Sequence, residues 1–166
     1  MLERKENKMS KSIIDAIAQP GVVVVFDVDG VLAPYEWGTN CHHSMSDDEW
    51  DSRLASGEDL YKTIQPVKIL QDFIAQKNPD EVYVCSKAAN VEEKSKKEFC
   101  IREYGIKPEN ICLVKKKSDK LMLLNTLRDT LGISENQITI VEDTVETLDM
   151  IAEKGNYKTI HISSFL

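Results

Sequence analysis

Two aspartates one residue apart, Asp27 and Asp29, close the apolar run Val22-Val23-Val24-Val25-Phe26 and are followed by Gly30. The run does not alternate and is dominated by β-branched residues, which marks a strand covered on both faces. Such a strand carries acids only at an end that meets a metal ion or a substrate, because burying an unpaired carboxylate is costly. Residues i and i+2 of an extended backbone point the same way, so both carboxylates are expected to face one place. Gly30 lets the chain turn where other residues resist. A second acid pair, Glu142-Asp143, ends another apolar run, Ile138 to Val141. Anions gathered from two strand ends repel unless a cation sits among them. With oxygen donors and no usable His or Cys set, Mg²⁺ is the expected cation. Ser86 at the end of a third run, and a lysine near 115 to 120, would complete a receptor for a phosphoryl group. An aspartate there can attack phosphorus, and a second carboxylate can protonate the leaving oxygen and later activate water.

The elements that must hold these residues alternate between strand and helix. A short helix over 10–19, capped by Ser10 or Ser12, is stopped by Pro20-Gly21. Strands are expected at 22–27, 81–85, 110–114, 137–141 and 158–162. Helices are expected from Pro66 to about Lys77, from Val91 to Tyr104 before Gly105, from an N-cap at Ser118 to Leu131, and from Thr144 to Lys154. Residues 33–65 break the rhythm and read as an insertion over the end of the first strand. Within it, Ser46 and Glu49 have capping-box spacing at the start of an acidic helix to Leu54, with Trp50 as its apolar anchor. Repeated alternation implies a parallel sheet covered on both sides, with ligands beyond the carboxyl ends of its strands. The Lys94-Ser95-Lys96-Lys97 cluster reads as a solvated helix face.

The length of 166 residues suits one domain with its own core. The 42% apolar and 30% charged residues are the balance of a soluble protein. A net charge of −7 argues against a general nucleic-acid binder without excluding a nucleotide substrate. No apolar run approaches membrane-spanning length, and the charged start is unlike a signal peptide, so the expected location is cytoplasmic. Cys41, Cys85, Cys100 and Cys112 form no CxxC pair and read as small buried hydrophobes in a reducing compartment.

Asp27-Val28-Asp29-Gly30-Val31-Leu32 behind an apolar strand resembles the first motif of the haloacid dehalogenase (HAD) superfamily of phosphohydrolases. Ser86, a lysine before or in a later helix, and Ile140-Val141-Glu142-Asp143 follow in the family's order. The resemblance implies a Rossmann-like three-layer α/β sandwich with about five parallel strands, the first lying between the second and the fourth. It implies Asp27 as nucleophile and Mg²⁺ ligand. Asp29 would be the general acid/base, giving its backbone carbonyl to the metal. Ser86 would be the phosphate-binding hydroxyl, Asp143 the acidic ligand, and Glu142 its direct or water-mediated partner. Lys120 is favoured as the phosphate-site lysine, because Leu121-Met122-Leu123-Leu124 after it resembles the family's helix; Lys117 is second. One departure is Thr147, four residues after Asp143, where many members carry an acid or amide and where Glu146 could compensate.

The expected activity is Mg²⁺-dependent hydrolysis of a small phosphomonoester through an aspartyl-phosphate on Asp27. Phosphoryl transfer to another acceptor would use the same residues, and a phosphate-sensing or protein-binding domain could keep the fold without turnover. Residues 1–166 are expected to form one domain, with 33–65 as a small cap-like insertion. Cys41, His42 and His43 lack zinc-ligand spacing. With Tyr35 and Trp37 they read either as the wall of a pocket over the carboxylates or as an exposed loop.

Overall fold

Four apolar residues, Val23–Phe26, form β1, buried along its whole length in the computed structural model, which describes residues 8–34 and 46–165. β1 pairs in parallel with β2 (Val82–Lys87) on one side and β4 (Ile138–Glu142) on the other. β3 (Ile111–Val114) and β5 (Lys158–His161) are the edges, so the sheet order is β3-β2-β1-β4-β5. The chain builds outward from β1 to β3, then returns to the other side of β1 for β4. Strand order therefore reverses between β1 and β4, and in sheets of this kind ligands bind beyond the carboxyl ends at that point. β1 takes the central place that the family resemblance implies.

Helices cover both faces and give the three-layer α/β architecture of a Rossmann-like fold. The even positions of β1, Val24 and Phe26, pack into a core with Ile17 of α1 (Lys8–Ala18), with Leu70, Phe73 and Ile74 of α3 (Lys68–Gln76), and with Phe99 and Tyr104 of α4 (Glu93–Tyr104). Its odd positions, Val23 and Val25, pack with Leu124 of α5 (Asp119–Leu131) and Leu148 and Ile151 of α6 (Val145–Lys154). Each buried Val or Leu contributes about 1.5–3 kcal/mol relative to exposure. Burial on both faces is why β1 reads as an unbroken apolar run.

A further helix, α2 (Asp47–Ala55), lies between β1 and α3, and Ser46 Oγ accepts from Glu49 N–H at 3.2 Å. Several helix starts differ from expectation. α1 begins at Lys8, so Ser10 and Ser12 lie inside it. α3 begins after Pro66, because Val67 is extended and its N–H donates to Tyr104 Oη at 2.8 Å. Ser118 occupies the N-cap position of α5 without capping it; Asp119 Oδ2 instead accepts from Lys116 N–H at 3.1 Å. Cys85 and Cys100 are buried and Cys112 is half-buried, all three as free thiols. Among the described residues no helix is long and apolar enough to cross a membrane.

The start of β1 is fastened by a buried cation. Lys77 Nζ donates to the carbonyls of Gln19 and Val22 at 2.9 and 2.8 Å and pairs with Glu81 Oε2 at 2.8 Å. Glu81 Oε1 in turn accepts from Gly21 N–H at 2.7 Å. Burial opposes the charge on Glu81, but these partners outweigh it and hold its carboxyl below the usual glutamate value.

Candidate active site

Asp27 lies one residue past β1, and its N–H donates to Val141 O at 3.0 Å, continuing the ladder with β4. Because Phe26 is paired with Val141, this register sets Asp27 beside Glu142, the last residue of β4. The odd positions of β1 face α5 and α6, so Asp27 points to the side from which α5 approaches. Lys120, in the first turn of α5, is 1% exposed and lies 3.0 Å from both Glu142 Oε1 and Asp27 Oδ1. The contact to Glu142 is a directed hydrogen bond. The contact to Asp27 is ionic only, and Asp27 Oδ1 is a buried oxygen that accepts no hydrogen bond.

Asp143 completes an acid triplet: Asp27, Glu142 and Asp143 each bring an oxygen within 4.8 Å of the others. Glu142 Oε2 accepts from Asp143 N–H at 3.0 Å, Thr144 Oγ1 donates to Asp143 Oδ1 at 3.2 Å, and His161 Nε2 lies 3.0 Å from Asp143 O. Burial pushes the Glu142 carboxyl well above the usual glutamate value; the neighbouring Asp27 charge adds to this and Lys120 only partly offsets it. Burial would lower the Lys120 ammonium, but Asp27 and Glu142 outweigh it and hold it above the usual lysine value. The triplet is thus a site short of positive charge. An all-oxygen donor set, an oxygen lacking a donor and three crowded carboxylates fit a hard divalent cation.

Asp29 goes elsewhere. β1 ends at Phe26, and the chain turns with Gly30 at φ +78°, Val31 N–H donating to Val28 O at 3.1 Å and Gly30 N–H to Ala33 O at 2.8 Å. The two-residue alternation of a strand therefore does not carry Asp29 to the side of Asp27, and its carboxylate is not part of the acid triplet. Instead its Oδ2 accepts from Lys96 Nζ at 2.7 Å and its Oδ1 from Tyr61 Oη at 2.6 Å. The solvated-face reading of the 94–97 cluster is therefore corrected at one position. Lys94 and Lys97 are exposed, but Lys96 is wholly buried on the face of α4 that also carries Phe99 and Cys100. Glu92, also buried, accepts from Lys96 Nζ at 3.1 Å and, through its other oxygen, from Trp50 Nε1 at 3.1 Å. Burial alone would lower the Lys96 ammonium, but Asp29 and Glu92 hold it above its ordinary value. The available sequence signal was the spacing: Lys96 stands three and four residues before Phe99 and Cys100, and four after Glu92.

Ser86 is buried near the end of β2, and its hydroxyl makes a long 3.4 Å bond to Lys87 O. No hydrogen bond joins it to Asp27, Glu142 or Asp143. Lys115 pairs with Glu93, Lys117 Nζ donates to Thr144 Oγ1 at 3.3 Å, and Lys116 is exposed. Of the four candidate lysines, Lys120 is the one buried against the acids. Glu146 is exposed and Thr147 buried, so neither adds a carboxylate to the triplet. Tyr35, Trp37, Cys41, His42 and His43 lie outside the described residues.

No protein-family model and no curated protein matches this chain. Solved structures do resemble it. DsGPDH of Dunaliella salina aligns with a TM-score of 0.54 and 16% identity over 91% of this chain and 25% of its own. The N-terminal part of protein BF1531 from Bacteroides fragilis, which contains a phosphatase domain complexed with Mg, aligns with a TM-score of 0.55 and 19% identity over 90% of this chain and 39% of its own. The HAD domain of effector protein Lem4 from Legionella pneumophila aligns with a TM-score of 0.45 and 12% identity over 84% of each chain. The chain thus spans about a quarter and about two fifths of the first two proteins. At these identities the likeness is one of fold.

Proposed function

We propose that this chain is a HAD-like phosphatase that hydrolyses a small phosphomonoester through an aspartyl-phosphate on Asp27. One observation carries the reading: three carboxylates from two strand ends converge at the point where strand order reverses, with a buried lysine between two of them. Asp27, Asp143 and Glu142 would hold Mg²⁺, with the backbone carbonyl of Asp29 as a further ligand. Bound there, the ion would supply positive charge for the phosphoryl oxygens. The phosphatase domain of the Bacteroides fragilis protein, complexed with Mg, supports this choice of metal by analogy of fold.

The chain's own residues would divide the remaining work. A carboxylate oxygen of Asp27 attacks phosphorus, forming the Asp27–phosphorus bond as the bond to the leaving oxygen breaks. Asp29, having first taken up a proton from solvent, gives it to that oxygen and later takes one from the water that attacks the phosphoenzyme, releasing phosphate and restoring Asp27. Lys120 orients Asp27 and balances its charge, while the Ser86 hydroxyl, with only a weak internal acceptor, donates to a phosphoryl oxygen. In the same reading residues 1–166 are one domain, and 33–65 is its small cap.

The test is turnover of 4-nitrophenyl phosphate with Mg²⁺ present. Asp27→Asn should lower kcat by roughly 10³-fold or more; undiminished turnover removes Asp27 as nucleophile. EDTA should stop the wild-type reaction, and a rate that survives it removes the metal.

A further inference from the structure

His161 is the last residue of β5, and the reaction above gives it no part. The parallel ladder sets it opposite Glu142, the last residue of β4. Asp143 lies one residue further on, between β4 and α6, where no ladder hydrogen bond holds the main chain. The imidazole supplies that hold: His161 Nε2 lies 3.0 Å from Asp143 O. A carbonyl oxygen can only accept, so Nε2 carries the proton. The other nitrogen agrees. Nδ1 accepts from Ser163 N–H at 3.2 Å and lies 2.8 Å from Ser163 Oγ, which therefore donates to it. Both nitrogens are thus engaged, and neither has a lone pair left for a metal ion. Ser163 is itself anchored, because the turn Ile162–Phe165 buries Ile162 and Phe165 in the core. The Phe165 ring packs 6.4 Å from Phe26 and 5.4 Å from Phe73, centroid to centroid.

Asp143 is held at three of its four polar groups. Its N–H donates to Glu142 Oε2, its carbonyl accepts from His161, and its Oδ1 accepts from Thr144 Oγ1. Lys117 Nζ donates to the Thr144 hydroxyl, which turns that hydroxyl's own proton toward Asp143. Only Oδ2 has no donor among the described residues, and it is left to a cation. Groups that fix a metal ligand in this way govern affinity without touching the metal.

We propose that His161 is a positioning residue of the metal site: clasped by Ser163, it holds the main chain at Asp143 so that this carboxylate stays with those of Asp27 and Glu142. The edge strand β5 then belongs to the site although it supplies no ligand. The inference rests on the Mg²⁺ reading.

The experiment is calorimetric titration of MgCl₂ into metal-free wild type, His161→Leu, His161→Asn and His161→Gln. A Gln amide nitrogen can reach the place of Nε2 and donate to Asp143 O, whereas an Asn amide is too short and Leu has no donor. The expected result is Mg²⁺ affinity about tenfold weaker in the Leu and Asn variants and within about threefold of wild type in the Gln variant. Leu and Asn variants that bind as wild type does overturn the proposal. So does a Gln variant as weak as the other two, since the bulk of the ring rather than its donor would then matter. Should His161→Leu fail to fold, the Asn and Gln variants decide between them. If wild type binds no Mg²⁺, the metal reading has failed and the proposal falls with it. If wild type binds and all three variants match it, only the positioning role has failed.

Discussion

Replacing Lys120 by Met removes the cation shared by two buried carboxylates while keeping a side chain of similar length. Lys120 is 1% exposed, Glu142 is wholly buried and Asp27 is 6% exposed, so little water can take its place. Breaking a buried ion pair by removing one partner costs about 3–5 kcal/mol, because the other charge is left uncompensated. In a chain of this size each 1 kcal/mol moves Tm by about 2–4 °C, so metal-free Lys120→Met should melt roughly 6–20 °C below wild type at neutral pH. The sign of the pH dependence follows from Glu142, whose carboxyl is already raised in the fold. A carboxyl with a folded pKa above its unfolded value holds more protons when folded, so it lowers stability as pH rises between the two values. Loss of Lys120 raises that folded pKa further. The gap between variant and wild type should therefore widen as pH rises from about 4.5, the unfolded value, and shrink below it. The assay is urea denaturation in EDTA across that range, with a Lys120→Met/Glu142→Gln double variant. Removing the stranded charge should restore part of the loss, a coupling the double-mutant cycle measures. A single variant within about 0.5 kcal/mol of wild type, or a double variant less stable than the single by the full cost of Glu142→Gln, would refute the buried-charge reasoning.

Other perturbations have equally definite outcomes. Glu81→Gln should cost about 1–3 kcal/mol by urea denaturation at pH 7, because the buried Lys77 ammonium loses its anion. Glu81 has a lowered folded pKa, so its contribution is present above the unfolded value and lost as pH falls through the folded one; variant and wild type should converge in acid. Gly30→Ala should cost about 1–2 kcal/mol, since φ there is +78°, and should lower kcat by moving Asp29 away from Lys96 and Tyr61. A variant as stable and as active as wild type would show that this turn is not constrained.

The fold was legible because its signals are local. Continuous β-branched runs bounded by Pro-Gly, Gly105 and Gly132 mark strands and helices without knowledge of their neighbours, and the observed strands differ from expectation by one or two residues at their ends. The proximity of Asp27 to Glu142 and Asp143 was also within reach, because a residue at the carboxyl end of β1 and one at the end of β4 must meet once the two strands pair in register. Lys120 could be preferred over its neighbours only by resemblance; in the fold it is the helical position of α5 that faces β1 and β4. Asp29, Lys96 and Tyr61 were not legible as a group. Asp29 sits inside a turn that cancels strand periodicity, Lys96 sits amid charges that read as solvated, and Tyr61 follows the one patterned helix of residues 33–65 with no periodicity to place it. Their contacts span 67 and 32 residues of chain, and no local propensity encodes such distances. The sequence by itself determined which strands form and which acids end them. Only the tertiary structure decided which cation each acid would receive, because a buried charge is tolerated solely where a distant part of the chain delivers its counter-charge.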